Sequence, residues 1–316
     1  MKKSLFSNKI QLLIFLLPAF IIVLLFYIIP IIITVYVSFT PMRNWNIDKY
    51  FNIIVGLQNY NRLFSLVTRD PVARQVVVNT IVFVAITLVI NVLGGLGLAL
   101  ANFFIDERVS TGFRTLWLLP RMTPIAVYGL LWYYFFHGSS IGLLNSIATS
   151  LGLIDKPVAW GQEVIPWGPW SIIIVVNGFV GVSFGMVIFY SALKSIPREL
   201  IIAARVDGAS NWWLTTHILV PLLRWHLLFV TTWQLLSLLT TYAHTFLLVE
   251  WGVVSRTYGQ TWALYVFNTA FGRGEQDQGL AAAAAVILVI FGAILGWITV
   301  KALGFNKMIT KPKGDI

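Results

Sequence analysis

The sequence contains no cysteine, and only 11% of its 316 residues are charged. The absence of cysteine excludes disulfides, cysteine-ligated metal sites and thiol catalysis. A soluble domain carries about 25% charged residues, so this chain has less than half the usual charge. No polar stretch is long enough to form a separate soluble core. The composition therefore excludes a chain with a large soluble domain.

The long apolar segments lack acidic residues at their centres, although the chain has twelve Asp and Glu residues. Carriers coupled to protons or sodium usually need an intramembrane carboxylate, because a buried charge is costly and is retained for function. The sequence also contains no His-Glu-x-x-His, no Gly-x-Ser-x-Gly and no phosphate-binding Gly-x-x-x-x-Gly-Lys-Ser/Thr motif. These absences argue against an ion-coupled carrier and an intramembrane enzyme, and they predict that the chain itself hydrolyses no ATP.

Apolar residues dominate the rest of the chain: 58% of the residues are hydrophobic, and the mean hydropathy is +0.82. Apolar runs of about 20 residues recur, which predicts membrane-spanning helices, since the strands of a membrane barrel would alternate apolar and polar residues. We expect an all-α membrane protein with about six transmembrane helices. The predicted spans are Ile10–Phe39, Val76–Phe104, Phe113–Phe136, Trp170–Leu193, Trp225–Val249 and Gly279–Leu303.

The N-terminal segment has the charges of a targeting signal but a longer apolar run. Lys2, Lys3 and Lys9 come before an apolar run that continues past Ile29, which is too long for the core of a signal peptide. We therefore predict a signal anchor that is retained and that is bent or partly interfacial, because Pro18 and Pro30 interrupt it. The expected organisation is an anchor helix with an extracytoplasmic loop over residues 1–75, a core of five transmembrane helices over residues 76–303, and a cytoplasmic tail over residues 304–316.

Positive charge is unevenly divided between the two sides of the predicted spans. The net charge of +10 could indicate nucleic acid or anionic lipid as a partner, but it is typical of the positive-inside bias of membrane proteins. Thirteen Lys and Arg residues lie on the side of both termini and of the loop between the fourth and fifth spans, against eight on the other side. We predict that both termini and this loop are cytoplasmic, that membrane lipid surrounds the chain, and that no nucleic acid binds.

The loop between the fourth and fifth predicted spans, residues 194–224, is polar and charged, and its pattern predicts a helix, a break and a second helix. Pro197 and Glu199 suit a first helical turn, where a missing N–H and a negative charge are both favourable. Gly208 ends that helix because glycine tolerates a positive φ, and Ser210 or Asn211 caps the second helix. This pattern alone is consistent with a plain link between two spans or with a docking surface for a partner.

The same loop reads Pro-x-Glu-Leu-x-x-Ala-Ala-x-x-Asp-Gly-Ala from Pro197 to Ala209, followed by Pro-Leu-Leu from Pro221. It resembles the EAA loop of binding-protein-dependent ABC importer permeases, which forms the coupling helix that docks on the cytoplasmic ATPase. Ile202 replaces the family's usual Glu before the two alanines, so Glu199 and Arg205 are the candidates for the ion pair that this Glu makes with the ATPase. The resemblance implies a coupling role for Glu199, Ala203, Ala204, Asp207, Gly208 and Ala209.

Short matches elsewhere resemble the carbohydrate-uptake branch of the same family. They lie at residues 55–60, 79–80, 114–120, 142–145, 157–160 and 279–283, with Phe271. The segment Glu250–Ser255 departs from the Thr-x-Gly-Gly-Pro turn that relatives often carry. The resemblance implies a permease subunit of a sugar importer that works by alternating access in a bacterial or archaeal cytoplasmic membrane.

The resemblance also implies a set of partners. They are a second homologous permease, two ABC ATPase subunits and an extracytoplasmic solute-binding protein that delivers the sugar. ATP and Mg²⁺ would belong to the ATPase subunits, and we expect no cofactor and no metal site in this chain. ATP-driven closure of the ATPases would move the two coupling helices and open the permease cavity outward.

The fifth predicted span carries a polar stripe. Gln234, Ser237, Thr241 and Thr245 recur at helical spacing on one face. Two interpretations are open: a path lining for a neutral polyhydroxy solute, or hydrogen bonding between helices, which is common for such residues in membranes. The candidate path residues are Asn177 and Ser183 in the fourth span, and Gln234, Ser237, Thr241 and Tyr242 in the fifth.

Arg121 is the one charged residue well inside a predicted span. It lies between Pro120 and Pro124, where a broken helix could expose it to a cavity, or its side chain could extend to the cytoplasmic interface. A phosphate-carrying solute would need cations in the path, and Arg121 is the one available. The rival functions are an ABC permease for another solute such as a glycerol phosphate ester, a stand-alone ion-coupled carrier, and an intramembrane enzyme.

Overall fold

All the regular structure in the described part of the chain is helical. The computed structural model describes residues 5–302, and for residues 5–12 and 14 it describes only the backbone. These residues form two compact units, residues 5–66 with 266–287 and residues 67–265 with 288–302. The predicted tail over residues 304–316, together with Lys2 and Lys3, lies outside the described residues.

The N-terminal span is one long helix with a local change in helical pitch. Helix α1, Leu5–Val23, runs through a π-helical turn at Leu24–Ile28 into α2, Ile29–Ser38. Pro30 lies in the first turn of α2, where its missing N–H removes no essential hydrogen bond. The segment Phe15–Ser38 is long and apolar enough to cross a membrane.

In the first unit, polar contacts link the segment after α2 to other parts of the unit. It contains α3, Ile47–Tyr50, and most of α4, Gln58–Arg69. The buried Asn59 amide donates to the carbonyls of Ser38 and Thr40 at 2.9 and 2.8 Å. The Arg62 guanidinium pairs with Asp277 at 2.9 Å, and the Gly279 N–H donates to the Met42 carbonyl at 3.0 Å. These bonds hold the segment after α2 against the start of the last helix.

The other helices follow in chain order. From the second span to the cytoplasmic loop they are α5 Pro71–Phe104, α6 Glu107–Met122, α7 Ile125–Phe136, α8 Leu143–Ser150, α9 Trp160–Glu163 and α10 Trp167–Lys194. The loop contains α11 Arg198–Val206, α12 Asn211–Leu214, a π-helical turn at Thr215–Leu219, and α13 Val220–Leu222. The last helices are α14 Arg224–Thr240, α15 Ala243–Glu250, α16 Arg256–Gly259, α17 Trp262–Phe271 and α18 Gln278–Ala302.

The core of the second unit is the pair α5 and α10, which pack along each other. Small residues allow the two backbones to approach, as is usual for helices in membranes. A Cβ built on Gly95 of α5 would lie only 2.8 Å from the Cα of Gly185 in α10, so this contact requires glycine. Phe189 and Leu193, near the C-terminal end of α10, are fully buried. Gly185 of the fourth predicted span therefore belongs to a packing surface.

The count of six spans is not confirmed. Within residues 5–302, four helices are long and apolar enough to cross a membrane. A fifth span is reached if Asn211–Leu222 and Arg224–Glu250, bent by 70° from each other, count as one. The predicted third span, Phe113–Phe136, is not one continuous helix, because α6 ends at Met122 and α7 begins at Ile125. Thr123 is extended, with ψ 132°, because a residue before proline is disfavoured in the helical region, and Pro124 follows it. The predicted division of the chain at residue 75 stays a prediction.

Candidate functional site

Two helix breaks frame a cavity in the second unit. One break is Thr123–Pro124, between α6 and α7. The other is Thr241–Tyr242, between α14 and α15, where Thr241 is extended with ψ 132°. Non-helical backbone at membrane depth is tolerated where it is buried in protein or lines a water-filled cavity. Both breaks border the same cavity, which is the arrangement that this rule favours.

The cavity has a volume of about 360 Å³ and lies against the middle of α10. Its lining combines uncharged polar groups, aromatic rings and one guanidinium group. The lining residues are Pro120, Arg121, Thr123, Ile125, Tyr128, Asn177, Val180, Gly181, Phe184, Trp233, Gln234, Ser237, Thr241 and His244.

Four of the six predicted path residues line this cavity: Asn177, Gln234, Ser237 and Thr241. The other two, Ser183 and Tyr242, are not among its lining residues. The Ser183 hydroxyl is fully buried and donates to the Val180 carbonyl at 2.7 Å, within its own helix. The structure therefore places four of the six predicted residues on the cavity and two away from it. The role of each residue in transport stays a prediction.

The single polar face predicted for the fifth span is wrong beyond Thr240. Helix α14 ends there, so Thr245 belongs to α15 and does not continue the face of Gln234 and Ser237. Thr245 is buried and does not line the cavity. The break arises without a proline in the segment, so helical spacing alone gave no signal for it.

Gln234 connects three helices. Its Nε2 donates to the Gly181 carbonyl of α10 at 2.8 Å, and its Oε1 accepts from Nδ2 of Asn91 in α5 at 3.2 Å. The side chain is 5% exposed, and both ends of its amide are engaged. This geometry matches the second interpretation of the polar stripe, hydrogen bonding between helices, at this one position.

The other polar lining groups are available to a solute. Within the described residues, the side chains of Asn177, Ser237 and Thr241 make no hydrogen bond, and the structure places all three on the cavity. The buried Nδ1 of His244 also lacks a hydrogen-bond partner in this part of the chain. The Tyr128 hydroxyl, by contrast, donates to the Val176 carbonyl at 2.6 Å and is already satisfied.

Aromatic rings and Arg121 complete the lining. Trp233 and Phe184 stack with a centroid distance of 6.1 Å and an angle of 22°. The Arg121 guanidinium lies 5.3 Å from the centre of the Phe184 ring, a cation–π distance. Of the two positions considered for Arg121, the structure shows the first: its side chain lies on the cavity. The sequence did not single out Phe184 or Trp233, because apolar spans are rich in aromatic residues.

The loop of residues 194–224 folds as its pattern predicts. Glu199 lies in the first turn of α11, Gly208 has φ +82°, and the Ser210 hydroxyl accepts from the Trp213 N–H, which makes Ser210 the cap of α12. Pro197 lies one position earlier than predicted, as the N-cap of α11. Ala204 is buried against the core, whereas Glu199, Ala203, Asp207 and Gly208 are exposed and Ala209 is half-buried.

The exposed face of this loop is strongly apolar. Val206 is 81% exposed and Trp212 is 77% exposed, and Ile202 and Leu200 are also exposed. The Arg205 guanidinium donates to the Ala209 carbonyl and to the Asn211 side chain, so it already has partners within the loop. Glu199 makes no ion pair within the described residues.

Residues 92–301 match the family described as "Binding-protein-dependent transport system inner membrane component". The chain belongs to this family. The resemblance to permeases of this family, first seen in residues 197–223, is thereby confirmed. The chain is an ABC transporter permease, a membrane component that transports and does not catalyse a reaction.

Relatives of this permease cover nearly its whole length. A probable ABC transporter permease, YurN of Bacillus subtilis, is 29% identical over 299 residues, 93% of this chain and 96% of the relative. The lactose transport system permease LacF of Rhizobium radiobacter is 25% identical, over 90% of this chain and 91% of its own. The sn-glycerol-3-phosphate transport system permease UgpA of Agrobacterium fabrum is 26% identical, over 92% of this chain and 93% of its own.

Solved structures of the same fold include a chain of a bacterial ABC transporter for import of the acidic polysaccharide alginate. The permease and that chain superpose with a TM-score of 0.77 at 20% identity, over 96% of this chain and 98% of the other. A bacterial alginate transporter in complex with an alginate pentasaccharide-bound periplasmic protein matches with a TM-score of 0.76 at 19% identity, over 93% of each chain. These structures show the ABC importer permease fold for this chain.

Proposed function

We propose that this permease forms the translocation path of an ATP-driven sugar importer. The observation that carries the proposal is the lining of the cavity, where the free polar groups of Asn177, Ser237 and Thr241 stand beside the rings of Phe184 and Trp233. A sugar presents hydroxyl groups at its edge and C–H groups on its faces, so it suits a few placed polar groups among aromatic rings. The relation to a lactose permease supports the same solute class.

The proposed assembly contains a second homologous permease, two ATPase subunits and an extracytoplasmic solute-binding protein. Helix α11 would dock on one ATPase from the cytoplasm, together with both termini, and ATP and Mg²⁺ would be held by the ATPases. Glu199, Ala203, Ala204, Asp207, Gly208 and Ala209 would transmit the movement of the ATPase to the spans. Exposed apolar side chains on α11 and α12 support this docking, because large exposed apolar patches mark interaction surfaces.

A second candidate solute is a phosphate ester such as a glycerol phosphate. Arg121 supplies a cation in the cavity, and one relative of this permease is named for sn-glycerol-3-phosphate transport. The cavity holds three free uncharged polar groups for this single guanidinium group, which favours a polyhydroxy solute.

The decisive experiment is to tag this chain, extract it from its native membrane in mild detergent, and identify the proteins that co-purify. We expect an ATPase and a second permease. ATP hydrolysis by the complex, with its binding protein added, would then be measured against a panel of sugars and glycerol 3-phosphate. Stimulation by a sugar is expected. A chain that repeatedly purifies alone and well folded would remove the main support for the coupling role of α11.

A further inference from the structure

Arg121 lies opposite the middle of a membrane-crossing helix. Its cavity neighbour Gly181 is at the midpoint of α10, about 20 Å along the helix axis from either end at roughly 1.5 Å per residue. The guanidinium is over the ring of Phe184, which is on the same stretch of α10. A side chain that reached a lipid interface would instead contact residues near Trp167 or Lys194. Arg121 is therefore held at membrane depth.

The guanidinium has no acidic partner in residues 5–302. The ion pairs found there involve other basic residues, and no Asp or Glu lines the cavity. A permanent charge at this depth is costly, and such charges usually face a cavity and mark a solute pathway. The Phe184 ring compensates only part of this cost. Because no carboxylate within residues 5–302 neutralises Arg121, this chain contributes an unpaired positive charge to the cavity.

We propose that Arg121 binds an anionic group of the transported solute, so that the importer carries an acidic saccharide, with a carboxylate or a phosphate ester as the anion. This inference rests on the proposed sugar function and narrows it. The planar guanidinium offers a fork of N–H donors that matches the two oxygens of a carboxylate or a phosphate.

The neighbouring groups suit the rest of such a solute. Asn177, Ser237 and Thr241 have side chains free to bond sugar hydroxyls, and Trp233 offers an exposed ring for a sugar face. Gln234 is already bonded to Asn91 and Gly181, so it would position the lining without contacting the solute. Arg121 would thus set the charge preference of the cavity, while the uncharged groups set its fit to a sugar.

The test uses the complete importer, with its partner permease, ATPases and binding protein, in proteoliposomes. Uptake would be measured for disaccharides of glucose, galactose and mannose, each as the neutral sugar and as its uronate, and for hexose phosphates. Three variants would be compared with the wild type: Arg121→Gln, Arg121→Lys, and the control Arg74→Gln. Arg74 is exposed at the start of α5 and does not line the cavity, so its replacement removes the same charge elsewhere.

We expect the wild-type importer to prefer an acidic solute over its neutral counterpart. Arg121→Gln should raise the KM for the acidic solute about tenfold to a hundredfold, the usual effect of one lost charge-assisted contact. Arg121→Lys should restore part of the affinity, since it keeps the charge but not the fork, and Arg74→Gln should match the wild type. A preference for the uronate would identify a carboxylate as the anionic group, and a preference for the hexose phosphate would identify a phosphate ester.

Two results would overturn the proposal. One is that the wild type transports a neutral sugar as well as its acidic counterparts and that Arg121→Gln does not change their relative uptake. The proposed sugar function would then stand. The other is an equal loss of neutral and acidic uptake in Arg121→Gln, which would assign Arg121 to the assembly of the importer. If no saccharide of either charge were transported, the proposed sugar function would fall together with this inference.

Discussion

Gly208 holds a backbone conformation that β-branched residues rarely adopt. Its φ is +82°, and a Cβ built on it would meet nothing within 4 Å. A substitution there therefore acts through the backbone and not through a clash. The αL position lets the chain turn from α11 into α12, so it fixes the angle between the two helices that carry the exposed apolar face.

The Gly208→Val variant should uncouple transport while leaving the protein in the membrane. A left-handed conformation costs a β-branched residue roughly 1–2 kcal/mol, so we expect uptake to fall by about tenfold as α11 loses its docked geometry. Uptake and membrane abundance would be measured side by side. Gly112→Val is the control, because Gly112 also has open space around its Cβ position but lies inside a helix. Normal uptake by Gly208→Val would contradict the coupling role of Gly208.

Gln234 and Ser237 are three residues apart in α14 and border the same cavity, yet their replacements should have different effects on stability and on uptake. Gln234→Leu leaves the buried Gly181 carbonyl and the Asn91 amide without their partner, which we expect to cost about 1–2 kcal/mol of stability. Ser237→Ala removes a free hydroxyl and should raise the KM of uptake with little change in stability. Thermal unfolding in detergent and uptake kinetics would separate the two effects. An unchanged melting temperature in Gln234→Leu would contradict the structural role.

At the level of helices, the contact between α5 and α10 depends on backbone proximity. Gly95→Val would force a side chain into the backbone of Gly185, whereas Gly97→Val on the same helix meets nothing within 4 Å. We expect Gly95→Val to destabilise the protein by about 1–3 kcal/mol through overpacking, and Gly97→Val to have little effect. Thermal unfolding of the two purified variants measures the difference. Equal melting temperatures of the two variants would mean that α5 and α10 can move apart at Gly95 without a loss of stability.

The start of α6 and the end of α10 are joined by a cluster around Glu107. Its carboxylate accepts from Lys194 at 2.6 Å and from the Tyr190 hydroxyl at 3.0 Å, and it also pairs with Arg114 at 3.0 Å. The hydrogen bond from Lys194, followed by that from Tyr190, lowers the pKa of Glu107 from 4.5 to about 2. The cluster therefore stays ionised at any physiological pH.

The stability that this cluster contributes should depend on pH only in strong acid. Because the pKa is lowered on folding, the contribution is complete above about pH 4.5 and is lost as the pH falls towards 2. The melting temperature of the wild type should drop more steeply across this window than that of Glu107→Gln, and the two should run parallel between pH 5 and 8. Parallel curves throughout would show that Glu107 has the same pKa in the folded and unfolded chains.

For the whole molecule, the absence of cysteine allows a direct test of orientation, because no native thiol adds background labelling. Val206→Cys in α11 and Leu153→Cys after α8 replace side chains that are 81% and 72% exposed. A membrane-impermeant maleimide applied to intact spheroplasts should label Leu153→Cys and spare Val206→Cys, and inverted vesicles should reverse the pattern. Labelling of Val206→Cys from outside would overturn the predicted cytoplasmic position of the loop.

Much of the architecture could be predicted because it depends on local composition. Apolar length indicates where the chain crosses a membrane, as in Pro71–Phe104 and Trp167–Lys194. The helix, break and helix of residues 194–224 were predictable for the same reason, since glycine at a helix end and serine at an N-cap act within a few residues. The helix break at Pro124 was available as one of the two alternatives for Arg121, because the restriction on the residue before proline is also local.

The sequence by itself determined that this is a helical membrane permease with a polar, helical loop between its fourth and fifth predicted spans, since apolar length and the loop motif depend on consecutive residues. Tertiary structure alone decided the site. Whether Gln234 holds Asn91 and Gly181 or faces a solute depends on which helices neighbour α14. Whether Arg121 reaches an interface or a cavity depends on what lies opposite it. Those neighbours come from distant parts of the chain, and spacing along one helix carries no information about them.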